Sequence, residues 1–82
     1  MKHLFSIKDE KSSLNHYFIA NSNADAIRSF ITAVNDENSQ YHKFSEDFTL
    51  YHVAILDETS LQGSVIDIQK LGGASEYLKQ KI

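Results

Sequence analysis

Nine consecutive residues, Phe48 to Leu56 (FTLYHVAIL), carry apolar or aromatic side chains at both odd and even positions. A strand sends successive side chains to opposite faces, so a segment with this pattern has to be covered on both sides. It therefore belongs in the middle of a sheet or at an interface between copies.

The flanking sequence supplies a sheet for that strand to join. His3 to Ile7 alternate His3, Phe5 and Ile7 with Leu4 and Ser6, the period of a strand. Lys8 to Ser13 (KDEKSS) is a polar turn, and Asn15 to Ala20 (NHYFIA) is a returning strand of aromatic and β-branched types. The turn has neither Asn-Gly nor Asp-Gly, so a hairpin longer than a two-residue loop is expected. Asn21-Ser22-Asn23 offers helix caps, and Asp25 follows where a negative charge suits the helix dipole. Ile27, Phe30, Ile31 and Val34 then form one apolar stripe, which Asn35 and Asp36 terminate.

Glu37 to Ser45 shows no sustained period and is expected to be a plain connection. After Phe48–Leu56, a polar loop from Asp57 to Gly63 leads to a partner strand, Ser64 to Gln69 (SVIDIQ). Gly72-Gly73 is expected to break the chain before a short terminal helix, Ala74 to Ile82, with Tyr77 and Leu78 inward. The expected fold is a single α+β domain over residues 1–82, a small antiparallel sheet with one helix packed on a face, in the order β-β-α-β-β plus the short C-terminal helix. One helix covers one face, so a symmetric homodimer is expected to cover the other through the strand Phe48 to Leu56.

Chemistry-bearing motifs are sparse. Cysteine is absent, which excludes disulfides and thiolate metal sites. His3, His16, His42 and His52 share no HxH, HxxxH or HExxH spacing, although a hairpin could bring His3 beside His16. The only glycines are Gly63, Gly72 and Gly73, so no phosphate-cradling loop precedes the helix. Glu46 and Asp47 are adjacent, point apart if extended, and suit capping or loop hydrogen bonds better than a shared catalytic site. The chain is expected to be non-enzymatic, without cofactor or metal. No apolar run approaches the roughly 20 residues of a membrane span, and the N-terminus has no apolar core of signal-peptide length. A soluble, unprocessed chain is expected.

Single-stranded nucleic acid is held by aromatic stacking together with backbone charge, and Tyr41-His42-Lys43-Phe44 is the run that offers both. The bland alternative has Tyr41 and Phe44 capping the core beside a solvated Lys43. Arg28, the single arginine, suits a phosphate contact, or an ion pair with Asp25 three residues earlier. Lys70, Lys79 and Lys81 tint the C-terminal segment basic. The net charge of −3 argues against coating nucleic acid by bulk electrostatics and leaves room only for a local patch.

Ala26, Ile27, Arg28, Phe30, Val34, Asn35 and Asp36, followed by Glu46, Asp47, Phe48, Leu50 and Tyr51, form a pattern that resembles the small nonstructural protein of gokushoviruses, Microviridae bacteriophages with single-stranded circular DNA. The resemblance runs from KHLFSI to Asp57 and fades in the last 25 residues. The family usually has proline after the Asn-Asp pair and before the Glu-Asp pair; here Glu37 and Ser45 stand there, so the loop between them lacks a fixed φ. The resemblance implies a nonstructural protein that acts in viral single-stranded DNA replication or packaging through DNA binding, in the cytoplasm of the infected bacterium. Arg28, Tyr41, His42, Lys43 and Phe44 are the candidate contacts. The competing reading is a protein-interaction module for a viral or host replication protein, which the acidic charge favours.

Overall fold

The computed structural model describes residues 2–57, 59–60 and 62–78. Four antiparallel strands form one sheet in the order β2-β1-β3-β4, with β1 at Lys2–Asp9, β2 at Asn15–Ala20, β3 at Phe48–Asp57 and β4 at Gln62–Gly73. The long apolar strand thus takes an interior position, paired with β1 on one side and β4 on the other.

Helix α1, Asn23–Val34, crosses one face of the sheet. Ser22 is its N-cap and its hydroxyl accepts from the Asp25 N–H at 3.2 Å, satisfying one of the free donors of the first turn. Ala26, Phe30 and Val34, each one turn apart, are fully buried, with Ile27 half-buried beside them. They meet Phe5 and Ile7 of β1 and Phe48 and Leu50 of β3, which share the helix-side face. Asn35 closes the helix, and its side-chain amide donates to the carbonyls of Ile31 at 2.9 Å and Tyr77 at 3.0 Å.

Four expectations need correction. The connection after α1 contains a short helix, α2, at Gln40–Lys43, because Ser39 supplies a cap whose hydroxyl accepts from the His42 N–H. Strand β4 extends beyond Ser64–Gln69 in both directions, so the connection from β3 is shorter than the expected loop. Gly72 does not break the strand: it adopts a φ of +143°, and a Cβ there would come within 2.7 Å of the Tyr77 ring that packs over it. The terminal helix, α3, spans only Ala74–Tyr77, and the expected helical residues beyond Leu78 lie outside the described residues. Tyr77 and Leu78 do pack against the core, Tyr77 edge-on to Phe30 at 5.8 Å.

The hairpin between β1 and β2 closes on backbone bonds from Asp9 N–H to Leu14 O and from Ser13 N–H to Asp9 O, with Ser13 left-handed at φ +62°. Asp47 hydrogen-bonds within its own loop, its N–H donating to the Phe44 carbonyl at 2.8 Å, and also ties this hairpin to the entry of β3. Its carbonyl accepts from Glu10 N–H, and its carboxylate lies 3.8 Å from Lys11 Nζ.

Phe30 and Leu50 are both fully buried at the helix–sheet junction. Replacing either with alanine is expected to cost about 2–5 kcal/mol, a large part of the stability of so small a domain. Thermal melts check this, and parent-like melting of both variants would refute the packing described.

Candidate functional site

The expected aromatic-basic run is divided by the fold. Tyr41 turns inward and packs edge-on against Phe48 at 4.8 Å and Phe30 at 6.4 Å. His42 points its Nδ1 at the Val34 carbonyl 3.0 Å away, and because a carbonyl only accepts, that nitrogen carries the hydrogen. Lys43 and Phe44 remain exposed. Arg28 is exposed on α1, and among the described residues no ion pair joins it to Asp25. The run therefore presents two side chains outward rather than four.

The histidines also fall differently from expectation. The hairpin register sets His3 opposite Ala20 and His16 opposite Ile7, so these two do not meet. His3 instead meets His52 of β3, Nδ1 to Nε2 at 3.0 Å, and the His52 ring stacks on Phe5. One hydrogen serves that contact, so one imidazole donates and the other accepts. Among the described residues no group of three or more His, Asp or Glu side chains could hold a metal ion.

The sheet face turned away from α1 gathers a more continuous set of groups. Tyr17 pairs with Ser6, Ser6 with Tyr51, and Tyr51 with Lys70, so the four residues form one row across all four strands. Residues directly opposite in an antiparallel pair share a face. Strands lie about 4.8 Å apart, which sets the backbones of Tyr17 and Tyr51 about 10 Å from each other with only a serine between them. The result is a depression of about 320 Å³, lined by Ser6, Lys8, Asn15, Tyr17, Tyr51, Val53 and Ile68. At its floor Ser6 is buried and its hydroxyl donates to Asn15 Oδ1 at 2.6 Å.

Charge on this face is arranged around Tyr51. Its hydroxyl donates to Glu10 Oε2 at 2.8 Å, and Glu10 Oε1 lies 3.6 Å from Lys8 Nζ. The Tyr51 hydrogen bond, helped by Lys8, holds the Glu10 carboxyl below its ordinary 4.5. Burial first, and the Glu10 charge second, push the Tyr51 hydroxyl up. Lys70 is exposed at the other end of the row. Such a surface offers aromatic edges and faces, two ammonium groups and one carboxylate: the means to hold a planar, anionic chain by stacking and charge.

Sequence reasoning names Lys70 as part of a basic C-terminal segment but does not place Tyr17, Tyr51 or the serine between them in a site with it. The signal was the hairpin register: a turn centred between Lys11 and Ser12 sets Tyr17 beside Ser6, on the strand face that Phe5 and Ile7 do not use.

The sequence model of the family described as Phage ORF5 protein matches residues 2–77. No curated protein and no solved structure matches the chain.

The Tyr51–Glu10 hydrogen bond can be tested by titration. A carboxyl with a lowered folded-state value contributes stability above its unfolded value and loses it as pH falls through the folded value. Tyr51→Phe is therefore expected to raise the Glu10 midpoint, followed by side-chain NMR, back toward 4.5. An unchanged midpoint would mean that the bond does not hold Glu10 in solution.

Proposed function

This chain belongs to the Phage ORF5 protein family, and on that premise we propose that it is a non-enzymatic phage protein that contacts single-stranded DNA during viral genome replication or packaging. The observation that carries the reading is the row Tyr17–Ser6–Tyr51–Lys70 on the sheet face not covered by α1. Two tyrosines on a rigid sheet, separated by a small residue and flanked by lysines, suit unpaired bases and their phosphates. Stacking tolerates any base sequence, and lysines follow the backbone. The resemblance to gokushovirus nonstructural proteins supports the same ligand, a single-stranded genome in an infected bacterium.

The acidic balance of the chain limits the strength of this contact. Two lysines against one carboxylate make a weak patch, so binding depends on stacking more than on charge. A second reading has specific support: Ile19 and Ile68 are more than half exposed, and apolar groups of that size suit a protein partner such as a viral or host replication protein.

Anisotropy of a labelled single-stranded oligonucleotide over a salt series separates the two. The expected log–log slope is shallow, about −1.4, from about 0.7 per neutralised phosphate and two lysines. Tyr17→Ala, at an exposed position, is expected to weaken binding by about 1 kcal/mol or more, the loss of one stacked base. Lys43→Ala and Arg28→Ala are expected to leave it unchanged. Absence of binding at low salt would favour the protein-interaction reading, and loss on Lys43→Ala but not Tyr17→Ala would move the contact to α2.

A further inference from the structure

The two edges of the sheet differ sharply. On β4 the edge carries Asp67 and Lys70, three glycines and two register shifts against β3. Charges, glycines and irregular pairing are features that keep an edge from joining another strand. On β2 none of these is present. NHYFIA has no lysine, acid, proline or glycine, and its register against β1 runs without a shift from His3↔Ala20 to Lys8↔Asn15. Its outer side pairs with no strand among the described residues, and none of its six residues is buried. Exposed large hydrophobics also concentrate here: Tyr17 and Ile19 lie within β2 and Leu14 immediately precedes it, at 59, 56 and 71% exposure.

We infer that β2 is a self-association edge, at which a second copy of this chain adds its own β2 antiparallel to form a continuous eight-stranded sheet. The occupant is a second copy because the strand is complementary to itself. With a two-fold axis perpendicular to the sheet, opposite residues must share a face, which requires the axis to pass through a residue. Centred on Phe18, the pairing sets Tyr17 opposite Ile19 of the second copy and Ile19 opposite its Tyr17, flanking each exposed side chain with an aromatic–aliphatic neighbour while the sheet face above them stays open. No formal charge lies on β2 to repel its twin, although the chain as a whole is acidic. This site differs from the expected contact, in which a second copy covers the open face through side chains of β3 rather than extending the sheet at its edge. It does not depend on whether the open face binds DNA.

Light scattering or sedimentation at high micromolar concentration is expected to give twice the 9.3 kDa chain mass. Ile19→Lys, a change at an exposed position, is expected to raise the dimer dissociation constant by about tenfold or more, a cost of about 1.4 kcal/mol. Ile68→Lys, equally exposed but on β4, is expected to leave the dimer intact, with circular dichroism checking that both variants fold. Hydrogen exchange on the parent supplies a test without substitution: amides of β2 should exchange more slowly as protein concentration rises. A monomeric parent, a dimer that survives Ile19→Lys, a dimer lost on Ile68→Lys, or β2 exchange independent of concentration would each overturn the inference.

Discussion

Strand β3 is hydrogen-bonded on both edges while α1 supplies a helical layer on only one face of the sheet, and the remaining structure answers to that imbalance. On the helix side, Phe48 and Leu50 join Phe5, Ile7 and Phe30 in a dry core. On the other side the same strand offers Tyr51, an amphipathic ring, and the smaller Val53, both half-buried at the border of a depression. The apolar pattern at both parities thus meets two different surroundings, full burial on one side and partial burial on the other. That difference is what makes the open face available for contact.

The helical layer is held in place largely by groups near its ends. Asn35 bonds two carbonyls at once, one in its own helix and one at Tyr77. Tyr77 in turn donates its hydroxyl to the Leu71 carbonyl at 2.6 Å, covers Gly72 and presents its ring edge to Phe30. Local pairing thereby links the last described turn of the chain to the end of α1 and to the exit of β4. A four-residue helix is far below the length that is stable alone, so α3 exists because it docks.

Much of this was legible from residue order. The hairpin, the Ser22-capped helix and the interior strand each follow from period, cap chemistry or apolar run, and all three appear where expected. What escaped notice depended on tertiary context. Gln40–Lys43 is too short to show a helical period, and only the Ser39 cap and the packing of Tyr41 make it helical. A Gly-Gly pair signals a chain break by residue type alone, whereas the left-handed φ of Gly72 serves the Tyr77 ring that arrives five residues later. The tyrosine row was hidden for a different reason: its members come from four strands and share no sequence motif. Only the registers join Tyr17, Ser6, Tyr51 and Lys70, and a single-residue slip would have turned one of them to the core.

The open face and the β2 edge are adjacent, and in the proposed dimer their combination would offset the weakness of an acidic chain as a partner for nucleic acid. A single copy offers one short row with two lysines, one of them already beside Glu10. Joining two copies at β2 about a perpendicular two-fold axis keeps both open faces on the same side of one sheet. Tyr17 of each copy then lies near the junction, with Tyr51 and Lys70 farther out on either side. A ligand crossing that junction meets four tyrosines in place of two, and doubling weak contacts through one rigid scaffold strengthens binding without any new charge. In the proposed dimer the uncharged β2 edge would also bring the aromatic rows together, so that edge chemistry and face chemistry would act on the same ligand.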